Sequence, residues 1–120
     1  MNNNILLIAG SRDFNNYNLL CYYMSLILKN NKIDKIISGV ARGADSLAQR
    51  YADEHNIPFQ LFPANWDLHG KSAGYIRNVE MGKCCKAGLI FWDGQSRGTN
   101  HMINILNQQK KKYIICHFNK

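Results

Sequence analysis

The chain of 120 residues has no uninterrupted apolar run near the roughly 18 residues needed to cross a bilayer, which argues against a membrane span. Its opening stretch, MNNNILLIAG, lacks a basic segment and a small-residue cleavage site, so no secretory signal is expected and the setting is read as cytoplasmic. Cysteine is sparse. Cys21, Cys84, Cys85 and Cys116 offer no CxxC spacing, which points to reduced, mostly buried thiols rather than a zinc site or a disulfide framework. His55, His69, His101 and His117 show no HExxH-type spacing, and no metal is expected. Ser11 and Ser96 lack an evident histidine–carboxylate relay. Internal repeats and linkers are missing too, so residues 1–120 read as one domain with one core and one binding region.

What is present is alternation. Short apolar runs at Ile5–Ala9, Lys35–Ser38, Phe59–Phe62, Gly88–Trp92 and Tyr113–Cys116 suit strands covered on both faces. Helix-length segments separate them: Tyr17–Leu28, Ala44–His55, Ala73–Cys84 and Thr99–Gln109. The expected fold is α/β and Rossmann-like, a parallel sheet of about five strands with helices on both faces and right-handed crossovers. Ligands of such sheets bind beyond the carboxyl ends of the strands, near the point where strand order reverses.

The loops that leave the strands are GSRDF, GVARGADS, PANWDLHGKSAGYIRN and DGQSRGT. Each joins glycine to an arginine and to small hydroxyl or amide residues, a composition suited to a phosphate cradle in front of helix N-termini. Of five arginines, Arg12, Arg42, Arg77 and Arg97 fall in or just behind these loops, and only Arg50 lies mid-helix. Eight lysines, by contrast, stand near helix-to-strand connections, on the opposite edge. The planar fork of arginine suits bidentate recognition of phosphate, whereas hydrated lysine suits a solvated rim.

The motifs GSRDF, SGVARGADSLA, FPANWDLHGKSAGYIRNVEM and FWDGQSRGTNHMI, in that order, resemble the YspA-like branch of the SLOG superfamily, which also contains the LOG phosphoribohydrolases and the DprA/Smf proteins. The resemblance implies a Rossmannoid domain that binds nucleotides or nucleotide-derived ligands. It assigns Gly10, Ser11 and Arg12 to a first contacting loop and Gly39, Arg42, Gly43, Ala44 and Asp45 to a second. Arg77 and Asn78 match a third element, and Gly98–Thr99 match a phosphate-holding step. Asp45 is expected to fix Arg42 or a ribose hydroxyl, with a plain helix-start carboxylate as the alternative. Trp66 and Trp92 could stack on a base or serve as core aromatics, and Asp67 and Asp93 could be bases, ribose anchors or turn caps. Ser96 and Arg97 complete the candidate ligand contacts.

Departures from the family pattern limit the chemistry. Val40 and Tyr75 stand where a second glycine and a proline are usual, and Met102 stands where the LOG pattern has the glutamate that assists N-glycosidic cleavage. Arg77 and Asp93 are therefore the catalytic candidates, neither assured, and no resident cofactor is assigned. The first reading is a module that senses or sequesters a signalling nucleotide, such as an ADP-ribose derivative or a cyclic nucleotide, in phage or bacterial defence. A nucleoside-phosphate hydrolase with a relocated carboxylate ranks second. A DprA-like single-strand nucleic-acid binder ranks third. Homo-oligomerisation is expected from the superfamily and from the apolar LLCYYMSLIL.

Overall fold

A computed structural model describes residues 4–39 and 43–119; Arg42, one of the expected ligand contacts, lies outside the described residues. The five apolar runs form β1 (Ile5–Gly10), β2 (Lys35–Gly39), β3 (Phe59–Phe62), β4 (Ala87–Trp92) and β5 (Lys112–His117). All pair in parallel, in the order β3-β2-β1-β4-β5. Successive strand residues point to opposite faces, so the central strands must be apolar throughout. Leu6 and Ile8 of β1, with Leu89 and Phe91 of β4, meet α1 (Tyr17–Asn30) and α2 (Ala44–Glu54) through Leu20, Met24, Ala48 and Tyr51. Leu7, Ala9 and Ile90 face the other way and pack on Met81, Met102 and Leu106. Those residues belong to α4 (Ala73–Cys84) and α5 (Arg97–Gln108).

The chain thus winds outward from β1 to β3 with helices on one face, then crosses to β4 and continues to β5 with helices on the other. Strand order reverses between β1 and β4, where the helices that follow these two strands lie on opposite faces of the sheet. A crevice opens at that point, as it must in a doubly wound sheet.

Several boundaries differ from the sequence expectation for local reasons. The third connection is not a bare loop: Asn65 caps α3 (Trp66–His69) by accepting the Leu68 N–H at 3.1 Å, and a 3₁₀ turn, Gly70–Ser72, leads into α4. The helix expected from Thr99 starts at Arg97, because Ser96 takes the N-cap and its hydroxyl accepts the Thr99 N–H at 3.4 Å. At their other ends α2 and α5 close alike. Ile57 N–H bonds Ala52 O at 2.9 Å and Lys111 N–H bonds Leu106 O at 2.9 Å, each around a residue of left-handed backbone, Asn56 (φ 55°) and Lys110 (φ 58°). The four cysteines are free; Cys85 and Cys116 are buried, but Cys84 is exposed, against the expectation of mostly buried thiols.

Candidate ligand-binding cleft at the strand reversal

A cleft of about 460 Å³ occupies the crevice. Ala9, Met81 and Met102 supply apolar lining, and polar groups from four strand exits surround it. The β1 and β4 exits are stitched together. Ser11 N–H donates to Phe91 O at 2.9 Å, the Ser11 hydroxyl accepts the Asp93 N–H at 3.2 Å, and Phe14 stacks on Phe91 with ring centres 4.1 Å apart. Phe14, 1% exposed, thereby anchors the loop that presents Arg12 and Asp13 to the cleft.

Behind the β2 exit lies a buried polar group. Asp45, 7% exposed at the start of α2, has Oδ1 2.8 Å from the Ser38 hydroxyl, which also reaches Ile8 O at 2.5 Å. A single hydroxyl proton serves both acceptors. The Arg77 guanidinium, from α4, donates to Phe62 O at 3.2 Å and to Asn78 Oδ1 at 3.1 Å. Burial lowers its pKa, and the Asp45 charge partly opposes that shift. Gly39 makes the arrangement sterically feasible, since a Cβ there would lie 2.5 Å from Arg77 Nη1 and 3.3 Å from Asp45 Oδ2. Asp45 is therefore more than a solvent-facing helix-start carboxylate.

Asn78, 6% exposed, extends this group across to α5 through Gly98 O (3.4 Å) and His101 Nδ1 (3.2 Å). Its amide nitrogen can only donate, so His101 Nδ1 accepts and the neutral ring carries its proton on Nε2. Burial pushes the His101 pKa down, which favours that neutral form.

The β4 exit is a tight hydrogen-bonded loop. Asp93 Oδ1 accepts the Gln95 and Ser96 N–H groups, both at 2.8 Å, and the Ser96 and Thr99 hydroxyls lie 3.0 Å apart. Trp92 braces the loop from outside by donating Nε1–H to Ser96 O at 3.1 Å. The Thr99 N–H is engaged by the cap, whereas the Arg97 and Gly98 N–H groups bond to no described residue. A Cβ on Gly98 would meet nothing within 4 Å, so this helix start is sterically open.

Of the residues singled out in the sequence, Gly10, Ser11, Arg12, Gly39, Asp45, Arg77, Asn78, Asp93, Ser96, Gly98 and Thr99 line this one cleft. Others do not. Ala44 is fully buried in the core under β1, and Gly43 serves the turn, its φ of 78° and the nearby Ser11 and Arg12 carbonyls leaving no room for a side chain. Arg97, the first residue of α5, is exposed and absent from the cleft wall. Trp66 is 60% exposed and sits in a separate depression with Pro63 and Asn65, carried outward by α3. Of the arginines expected on this edge, Arg12 and Arg77 line the cleft together with Asp13, Asp45 and Asp93, Arg97 does not, and Arg42 lies outside the described residues.

Sequence reasoning passed over Ser38, Phe14, Met81, Asp13 and Gln95. Ser38 carried a signal, as the one hydroxyl in the strand KIISG, between two isoleucines and the closing glycine. Among the described residues, no group of three or more His, Cys, Asp or Glu side chains could hold a metal ion, and no helix is long and apolar enough to cross a membrane.

Comparison with known proteins agrees with this architecture. Over 75 residues the chain is 41% identical to the Gene 61 protein of Mycobacterium phage D29, an alignment covering 55% of this chain and 58% of that protein. The chain therefore spans less than two thirds of that relative's length. The profile of the YspA, cpYpsA-related SLOG family (YAcAr) matches residues 4–69, which include β1, β2 and the cleft residues from Gly10 to Asp45. With more than half of its length matched, and the sheet order and crevice in place, the chain belongs to the YspA, cpYpsA-related SLOG family.

Proposed function

We propose that the cleft binds a phosphate-containing nucleotide or nucleotide-derived signalling ligand, and that the protein acts as a sensor or sequestering module rather than as an N-glycosidic hydrolase. The observation that carries this reading is the open start of α5. The Gly98 N–H, without a described partner, the Ser96–Thr99 hydroxyl pair and the start of the α5 dipole line the same cleft as Gly10 and Ser11 at the point of strand reversal. Arg12 and Arg77 add charge-assisted donors, while Asp13 and Asp45 offer acceptors suited to ribose hydroxyls. Met102, 1% exposed in the lining, cannot accept a proton or stabilise positive charge developing on a ribose. Tyr22 and Leu26, exposed on α1, support self-association as a further part of this reading.

Calorimetry with ADP-ribose and AMP tests the binding. Arg12→Ala is expected to weaken it by about 1.5–3 kcal/mol without loss of fold, the range for a hydrogen bond to a charged group. Unchanged affinity would remove Arg12 from the site. Base release under single-turnover conditions tests the hydrolase alternative, which Asp93 favours by its place on the cleft wall. Robust release that vanishes in Asp93→Asn would overturn the binding-module reading.

A further inference from the structure

The sheet edge opposite the cleft gathers lysines that the sequence scatters. Lys83, at the end of α4, and Lys86 stand at the α4–β4 connection, and Lys110 and Lys111, followed by Lys112 at the start of β5, stand at the α5–β5 connection. Parallel pairing in the register Ala87↔Lys112 sets these connections side by side, at a strand spacing of about 4.8 Å. Lys29, Lys32 and Lys35 stand at the α1–β2 connection, on the same sheet edge beyond β1, where Asp34 pairs with Lys32 at 3.5 Å. These eight lysines and Asp34 amount to +7, the whole formal net charge, while bases and acids balance over the rest of the chain. The remaining connection, α2–β3, carries no lysine and follows Asp53 and Glu54, of which Glu54 is engaged by Tyr17 and Arg50.

Helix ends explain only part of this. The C-termini of α4 and α5 each present roughly half a negative charge, which a single lysine would balance, and five stand there. Lys111 Nζ donates to Cys85 O at 2.6 Å and Lys86 Nζ to Asn4 Oδ1 at 3.0 Å. Lys83, Lys110 and Lys112 are exposed, and neither described ion pair involves them. Lys110 is a second, independent sign. It holds the left-handed position of the helix-closing motif, where glycine is the favoured residue and where α2 uses Asn56, so a lysine stands there against the preference of the backbone.

We propose that this ledge docks the phosphate backbone of a nucleic-acid duplex without reading its sequence. Lysine point charges suit phosphates that need no bidentate geometry. Single strands call for exposed stacking aromatics, and the aromatic beside these connections, Tyr113, is only partly exposed. The inference does not depend on what the cleft binds.

Fluorescence anisotropy of a labelled DNA duplex of about 20 base pairs, titrated with the full chain, is the test. With about four phosphates neutralised, affinity should fall on the order of 100-fold between about 50 and 200 mM salt. A Lys83→Gln, Lys86→Gln, Lys110→Gln and Lys112→Gln variant, folded by circular dichroism, should lose this binding, and Arg12→Gln should keep it. Lys110→Gly alone should lower the salt slope by about one while raising the melting temperature, a pairing that a purely structural lysine would not produce. The proposal is overturned by absent binding at low salt, by binding that survives the quadruple variant or follows Arg12, by preference for a single strand, or by equal binding to poly-glutamate or to phosphatidylserine vesicles.

Discussion

The two edges of the sheet treat charge in opposite ways. At the carboxyl edge, arginines and aspartates share one cleft, and Asp93, Asp45 and Arg77 are each positioned by named neighbours: loop N–H groups, the Ser38 hydroxyl, the Phe62 carbonyl. At the amino edge lysines far outnumber acids, and several project into solvent without an ion pair. Fixed, mixed charge in a concave site favours recognition of one small ligand in one orientation. Exposed charge of one sign favours attraction without selectivity. The net charge of +7 is therefore a property of one edge and says little about the cleft.

The largest effect that sharpens this contrast lies at the cleft. Gly43→Ala places a Cβ in a left-handed conformation against the Ser11 and Arg12 carbonyls, and should cost about 3 kcal/mol from backbone strain and overpacking together. Urea denaturation checks it; a loss below about 0.5 kcal/mol would mean that the β1 exit is not tightly built.

A smaller effect of opposite sign belongs to the ledge. Lys110→Gly relieves a left-handed lysine and should stabilise the fold by about 1 kcal/mol. Destabilisation would show that this lysine supports the fold and break the contrast between a built cleft and a solvated ledge.

The smallest effect comes from His101. Its pKa is lowered in the folded state from an ordinary 6.5, so its contribution is fully present above that value and is lost as pH falls through the lower folded value. Protonation also sets Nδ1–H against the Asn78 amide donor. Melting followed from pH 8 to pH 5 should show a decline on the acid side that is reduced in His101→Gln; identical profiles would exclude His101 as its source.

Much of the fold was legible because a parallel sheet covered on both faces needs continuous apolar runs, and IISG or GLIFW can bury both sides only in the middle of such a sheet. Most of the cleft was legible too, since loops that leave parallel strands must share one edge. The remainder turned on side-chain direction. Nothing in WDLH distinguishes a base-stacking tryptophan from one carried outward by a short capped helix, and SRGT does not reveal that its arginine is the first residue of α5 and stands outside the cleft wall.

By itself, then, the sequence determined the alternation of strand and helix, the placing of glycine and arginine at strand exits and the separation of lysine from arginine, because these follow from periodicity and from which end of an element a residue occupies. Only the tertiary structure decided that Asp45 is buried against Ser38 and near Arg77, that Asn78 joins α4 to α5, and that Lys86 and Lys111 stand side by side. Those relations depend on strand order, register and crossover, which bring together residues between 7 and 32 positions apart in the chain.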